Sequence, residues 1–466
     1  MRARIKPHLF TGTVRIPASK SHTIRQLIIA SLAEGESEII NPLDSLDTRS
    51  CAAACRVLGA KITEHYSVDL HNPNPVVSDG TKLSSYKVHG NYGYKNQVKN
   101  SKKSVNHQIV HQIDVGNSGT TLFLVMAAAG LGNEPFVFTG DEQIKRRSAA
   151  PLLDALARLG INATSAERNG CVPITIQGPW KGGRVSLSCP TSQYLSAILL
   201  AAPLAPAGTV TEIDIPLLNE RPYVEMTLSY LDAQNIPWES PRNCAGLADF
   251  SRFIIQGGAS WKPFSRAVPG DFSSAAFPAC AAAISGGPVT ICGLDPDDLQ
   301  GDKYFLEILA QMGCTVHWEK DSSGSFGIQN HVSVSRHGPL RGGVFDLNAV
   351  PDLLPAAAVT AAFAEGDTSL VNVAHARIKE TDRIAVTAAE LAKLNVHCTE
   401  RPDGLIIHGR GLSGVNGGSI DGHGDHRIVM AFAAAALAAK TPVEIESAEC
   451  AAVTYPGFLD LLGAQY

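Results

Sequence analysis

One unit is written six times along this chain. Each copy runs strand, short polar turn, Ala-rich apolar helix ending in Gly or Lys, then another strand. The helices open at Ser19 (SKSHTIRQLIIASLAEG), Asn117 (NSGTTLFLVMAAAGLG), Thr191 (TSQYLSAILLAAPLAPAG), Asp271 (DFSSAAFPACAAAISGG), Asp352 (DLLPAAAVTAAFAEG) and Asp425 (DHRIVMAFAAAALAAK). Successive openers stand 98, 74, 80, 81 and 73 residues apart, too even for chance. Self-similarity at such a period means that each copy is one supersecondary unit, which buries its apolar surface against its neighbours.

Each opener is followed by a second, more amphipathic helix, as in RRSAAPLLDALARLG from Arg146, KYFLEILAQMG from Lys303 and TDRIAVTAAELAKLN from Thr381. The opener helices are apolar all round and are expected to be buried, with the amphipathic ones covering them. Six strand–helix–strand–helix units make an α/β chain that divides as three plus three. The first gap is long because residues 76–108, rich in Gly, Ser, Asn and Lys, read as a polar surface insert.

Length and composition agree. A chain of 466 residues with 44% hydrophobic and 18% charged residues has the make-up of a globular protein of two to four domains. Its net charge of −5 removes the bulk electrostatic case for nucleic acid. No apolar run reaches the ~18 residues that span a bilayer, and MRARIKPHLF has no apolar stretch behind it, so no membrane or secretory signal is read. The ten cysteines form no C-x-x-C pair and are expected to be buried free thiols in the cytoplasm.

The chemistry gathers at the openers. A helix N-terminus presents unpaired N–H groups and a partial positive charge to an anion. Here Lys20 and Arg25 stand in the first opener, and His426 and Arg427 in the sixth. IKRRS carries Arg147, and RIKETDR carries Lys379, Glu380 and Arg383. Asn117-Ser118-Gly119-Thr120 and Thr191-Ser192-Gln193 add uncharged hydroxyls and amides. Taken singly, Ser19, Asn117, Thr191 and Asp352 are ordinary N-caps, and Lys379-Glu380 with Asp382-Arg383 is a solvated helix face. Recurrence of the same placement in several repeats favours an anion site. GHGDHR offers His423 and His426 to a metal but lacks further ligands at matching spacing, so the reading is metal-free.

In this order SKSHTIRQ, GNSGTT, KRRS, TSQYLSAILLAAPLA, RPYVEMTL, VPDLLPAAA, RIKETDR, GDHRIVMA and TYPGFLDLL resemble the 5-enolpyruvylshikimate-3-phosphate (EPSP) synthase family over essentially the whole chain. The resemblance implies two similar domains, each an inside-out α/β barrel of three repeats, with the active site in the interdomain cleft. One domain would span 19–268 with the insert 76–108; the other would join 1–18 to 269–466. It further implies transfer of the enolpyruvyl group of phosphoenolpyruvate to the 5-hydroxyl of shikimate 3-phosphate, without metal or cofactor. Only small-molecule substrates are implied, with no nucleic acid or membrane partner, and a monomer. Each substrate carries a carboxylate and a phosphate, the latter worth about −1.5 to −2. Lys20, Arg25, Arg147, Lys379, Arg383 and Arg427 would nearly neutralise both.

Carried over by position, the shikimate-phosphate contacts are Lys20, Ser21, Arg25, Thr191, Ser192, Gln193, Asp352, His375 and Lys379. The phosphoenolpyruvate contacts are Lys20, Asn117, Gly119, Arg147, Gln193, Arg383 and Arg427, with Gly119 letting the ligand approach the backbone. Asp352 would take the 5-hydroxyl proton, and Glu380, with Lys20 and His426 nearby, would serve protonation of the methylene carbon. Phe123, Glu220, His375 and Val453 depart from the family pattern. Glu220 stands where a small hydroxyl residue usually helps hold the acceptor phosphate; it is expected to pair with Arg221 or another cation and turn away. The alternatives are a paralogue acting on a different shikimate-like acceptor and a silent binding scaffold. A UDP-N-acetylglucosamine enolpyruvyl transferase fits worse, because that enzyme lacks the KETDR and SKS pattern.

Overall fold

The computed structural model describes residues 1–68, 81–90, 102–105, 108–319 and 330–466. Alanine gives up no side-chain entropy in a helix, and the six Ala-rich segments fold as Lys20–Leu32, Gly119–Ala129, Gln193–Ala201, Phe272–Ser285, Leu354–Ala362 and His426–Ala436. In the last two every residue is buried. The amphipathic helices bury one face only. Ala150–Arg158 hides Leu152, Leu153, Ala155 and Leu156, while Arg158 meets Asp154 on the exposed side at 2.9 Å.

The described chain falls into two compact units, one built from Met1–Ser19 and Pro269–Tyr466, the other from Lys20–Ser67 and Leu83–Val268. Six sheets share one pattern, in which a central strand has a parallel neighbour on one side and an antiparallel one on the other. In the Lys20–Val268 unit the central strands are Gly35–Ile40, Phe136–Thr139 and Val210–Leu218. In the other unit they are Val289–Cys292, Asp367–Val371 and Val443–Glu446.

Parallel neighbours need a crossover, and the opener helix supplies it: Gly119–Ala129 lies between the parallel strands Gln108–Asp114 and Phe136–Thr139. At the two places where the chain changes unit, the parallel strand is borrowed from elsewhere in sequence. Ser265–Ala267 pairs with Gly35–Ile40, and Gly12–Arg15 with Val289–Cys292. This strand–helix–strand order sets each opener at the C-terminal end of a parallel strand, where ligands bind in such folds.

Two expectations need correction. Thr81–Gly90, inside the proposed insert, is a strand paired in register with Gly35–Ile40, and it buries Leu83, Tyr86 and Val88. The alternation Tyr86-Lys87-Val88-His89 is a period-2 strand signal, hidden among turn-forming neighbours. Lys102–Val105 is also a strand; the rest of 76–107 lies outside the described residues. All ten cysteines are free as expected, but Cys244 is exposed and Cys398 and Cys450 only half-buried. Among the described residues no helix is long and apolar enough to cross a membrane.

Candidate active site

Two clusters carry the polar residues, one in each unit. In the unit that joins Met1–Ser19 to Pro269–Tyr466 the centre is Arg383, the first residue of the Arg383–Lys393 helix and wholly buried. Its Nε donates to Asp425 Oδ2 at 2.8 Å, and its Nη2 to Asp425 Oδ1 at 3.1 Å and Glu380 Oε2 at 2.5 Å. Nη1 donates to Asp352 Oδ1 at 2.7 Å. The second Asp352 oxygen lies 2.8 Å from Arg427 Nη2, and Lys379 Nζ stands 4.0 Å from Oδ1. One guanidinium thus holds the two carboxylates expected to act as acid and base, on different nitrogens.

Electrostatics follow the geometry. Burial works to raise the Asp352 pKa, but Arg427, Lys379 and Arg383 outweigh it and hold the carboxyl well below the usual range. Burial likewise works against the charge on Arg383, but Asp425, Glu380 and Asp352 raise its pKa above that of a free guanidinium.

Local sequence explains the placement. Pro351 opens a single 3-10 turn, Pro351–Leu353, so Asp352 sits just before its buried helix rather than capping it. Asp382 caps the Arg383 helix by accepting from Ala385 N at 3.0 Å, and receives Arg377 Nη1 at 2.7 Å. Asp425 caps its helix through Arg427 N at 2.9 Å and accepts from Thr381 Oγ1 at 3.1 Å. His426 is buried beside it, with Nδ1 4.0 Å from Asp425 Oδ1. His375 donates from Nε2 to the Asn348 carbonyl at 3.1 Å, in the turn that leads to Lys379. His423 gives Nε2 to the buried Glu390, at 2.8 Å from Oε1. Val453 ends the Ala448–Val453 turn, half-buried.

In the Lys20–Val268 unit, ion pairs and hydrogen bonds link polar residues of the three opener helices. Lys20 Nζ pairs with Asp47 Oδ2 at 3.0 Å, and the Asp47 carbonyl accepts from Thr121 Oγ1 at 3.4 Å. Arg25 is almost wholly buried and donates to Thr227 Oγ1 (2.9 Å), the Tyr223 carbonyl (3.0 Å), the Ser21 carbonyl (3.2 Å) and Ser196 Oγ (3.4 Å). Burial pushes its pKa down to about 10, against the upward pull of Tyr230, Tyr223 and Glu220. Gln193 Nε2 reaches Thr120 Oγ1 at 3.3 Å, and Asn117 Nδ2 donates to Gln143 Oε1.

Arg147 lies over Gly119. A Cβ built on that glycine would stand 2.4 Å from the guanidinium carbon, so the arginine by itself already requires glycine there. Phe123, expected to depart from the family pattern, backs the same guanidinium, 5.9 Å from ring centroid to Cζ, and meets Tyr194 edge-on at 5.1 Å.

Glu220 does not turn toward Arg221. That arginine pairs with Glu225 at 2.9 Å and stacks on Phe250. The Glu220 carboxylate is buried, and its Oε2 accepts from Thr191 Oγ1 (3.0 Å), Ser192 N (3.1 Å) and Ser192 Oγ (2.9 Å). The charge arithmetic is corrected with it, because Lys20, Arg383 and Arg427 already hold Asp47, Asp352, Glu380 and Asp425. Asp47 and Asp425 were missed because each reads as part of a helix start. Glu390 had a signal, a carboxylate on the apolar face of the Arg383 helix.

Three comparisons bear on this arrangement. The family model described as EPSP synthase (3-phosphoshikimate 1-carboxyvinyltransferase) matches residues 6–76 and 87–462. A 3-phosphoshikimate 1-carboxyvinyltransferase from Acetivibrio thermocellus is 42% identical over 465 residues, covering 99% of this chain and 97% of that protein. One from Methanothermobacter thermautotrophicus is 38% identical over 450 residues, covering 96% and 94%. A solved EPSP synthase from Acinetobacter baumannii superposes with a TM-score of 0.76 at 26% identity, covering 99% of this chain and 97% of that one.

Proposed function

The chain belongs to the EPSP synthase family, and from that premise we propose how its own residues carry the reaction. It is an enzyme, a 3-phosphoshikimate 1-carboxyvinyltransferase, that moves the enolpyruvyl group of phosphoenolpyruvate to the 5-hydroxyl of shikimate 3-phosphate and releases phosphate. In the proposed assignment Arg147, Arg383 and Arg427, with Lys20, Asn117, Gly119 and Gln193, take phosphoenolpyruvate. Lys20, Ser21, Arg25, Thr191, Ser192, Gln193, His375 and Lys379 take the acceptor. Neither cluster holds enough charge for both substrates, which supports a joint site in a cleft between two three-repeat domains, 19–268 and 1–18 with 269–466. The net charge of −5 supports a protein without a nucleic-acid partner, and we read it as a cytoplasmic monomer.

The new bond joins the acceptor oxygen to the enol carbon while the adjacent methylene carbon gains a proton; the methyl group so formed then gives a proton back as the C–O bond to phosphate breaks, which restores the double bond and releases phosphate. The step needs one base and one acid. Asp352, held below the usual carboxylate range by its cations, is ionised and fits the base. Glu380, on the same guanidinium, fits the acid side, with Lys20 and His426. A carboxylate pair works this way only if its environment separates the two pKa values. The carrying observation is Arg383, which binds Asp352 and Glu380 on separate nitrogens.

Steady-state kinetics with both substrates is the test. Asp352→Asn and Glu380→Gln should each cut kcat about 10²- to 10⁴-fold, the usual worth of a general acid or base, with substrate Kd far less changed. Near-normal turnover in either variant removes that residue from its role.

A further inference from the structure

Glu220 occupies the donors assigned to the acceptor phosphate. Thr191 Oγ1, Ser192 Oγ and Ser192 N converge on one carboxylate oxygen at 2.9–3.1 Å. Ser192 precedes the Gln193–Ala201 helix, so its N–H is one of the orphan donors that anions seek. The side chain is 2% exposed. Its backbone holds φ at 57°, a left-handed conformation uncommon outside glycine, at the residue that starts the Arg221–Ala233 helix. The carboxylate therefore stands as a phosphate oxygen would: buried, at a helix start, on two hydroxyls and an amide.

We propose that Glu220 is an internal ligand of the acceptor-phosphate pocket, and that the acceptor binds by displacing it. The inference rests on the assignment of Thr191 and Ser192 to that phosphate. A carboxylate and a phosphate of like charge exclude each other from the same three donors, so Glu220 sets the acceptor's affinity without touching phosphoenolpyruvate. If the seated state holds all but about 1–10% of molecules, the apparent acceptor Kd is raised about 10- to 100-fold over that of the open pocket.

The experiment is calorimetric titration of wild type, Glu220→Gln and Glu220→Ser with shikimate 3-phosphate and, separately, inorganic phosphate, alongside KM values for both substrates. Glu220→Ser should bind both anions at least about tenfold more tightly, with the phosphoenolpyruvate KM unchanged. Adding Thr191→Ala should abolish that gain, because it removes a shared donor. A Glu220→Ser protein that tightens inorganic phosphate but not shikimate 3-phosphate leaves the internal ligand standing and refutes the acceptor assignment. Unchanged or weaker affinity for both anions in Glu220→Ser and in the near-isosteric Glu220→Gln overturns the inference. Wild-type turnover with the two substrates is read independently and tests the assigned reaction alone.

Discussion

Replacing Asp425 by Asn is the sharpest test of the Arg383 cluster. Both side chains are fully buried, and the two are joined by Nε–Oδ2 and Nη2–Oδ1 contacts at 2.8 and 3.1 Å. The amide keeps the volume and can still cap the His426–Ala436 helix through Oδ1, which now accepts from Arg427 N. Its Nδ2, however, points a donor at the Arg383 Nε donor, and the counter-charge is gone. Removing one member of a buried ion pair costs about 3–5 kcal/mol. Because Arg383 keeps Asp352 and Glu380, the lower end is expected, about 3 kcal/mol. Asp425→Ala also loses the cap and should cost about 1 kcal/mol more. The control is Asp154→Asn, whose pair with Arg158 is more than half exposed and should be worth under about 0.5 kcal/mol. The assay is the urea dependence of hydrogen exchange in Arg383–Lys393, which reports this unit alone. With a slope of about 3 kcal/mol per molar urea, the midpoint should fall by about 1 M. The phosphoenolpyruvate KM should rise with it. A midpoint shift no larger than that of Asp154→Asn would show that Asp425 is not what anchors Arg383.

Gly119→Ala puts a methyl group 2.4–2.5 Å from the guanidinium of Arg147. The arginine must swing away while the helix stays intact, so the melting temperature should hold and the phosphoenolpyruvate KM rise about 10- to 100-fold, the worth of a charged hydrogen bond; an unchanged KM removes Arg147 from the site. Tyr86→Ala empties a fully buried position in the Thr81–Gly90 strand and should cost about 3–5 kcal/mol in urea unfolding, whereas a loss below about 1 kcal/mol would return that strand to the status of a surface insert.

The repeat was legible because it rests on composition. Only a segment as apolar as FAAAALAAK must be buried all round, and six such segments at even spacing force a modular core. The Asp352, Glu380, Lys379, Arg383 and Arg427 group was legible because charges stood where a helix start needs only a polar cap. What sequence could not give is pairing. Nothing in SLDTRS tells that Asp47 answers Lys20, since Ser45 and Thr48 make an ordinary capping box around it. Nothing in NERPY tells that Glu220 reaches back to Thr191 and Ser192 rather than forward to Arg221; that choice is made by a left-handed backbone torsion and by Phe250, which takes the arginine. Tyr86 and Val88 were lost because four residues of alternation are a weak signal beside so many turn-formers.

Both clusters share one physical device. Under the proposed assignment the cations serve two ligands of about −2.5 to −3 each and would repel one another in the empty protein, and here carboxylates occupy the ligands' place: Asp47 on Lys20, Asp352 on Arg383 and Arg427, and Glu220 on the hydroxyls of Thr191 and Ser192. Ligand binding under that assignment would be an exchange of anions rather than an addition of charge. For Asp352 the exchange has a chemical consequence. Its proton affinity is low because Arg427, Lys379 and Arg383 face it, and a base that weak removes a hydroxyl proton poorly. A phosphate or carboxylate that draws Arg427 or Arg383 onto itself lifts part of that field, and each pKa unit regained is worth about 1.4 kcal/mol of basicity. Under the proposed assignment, phosphoenolpyruvate bound on those arginines would strengthen the base that the acceptor needs, so the pairing that stabilises the empty site would also make Asp352 most basic when both substrates are present.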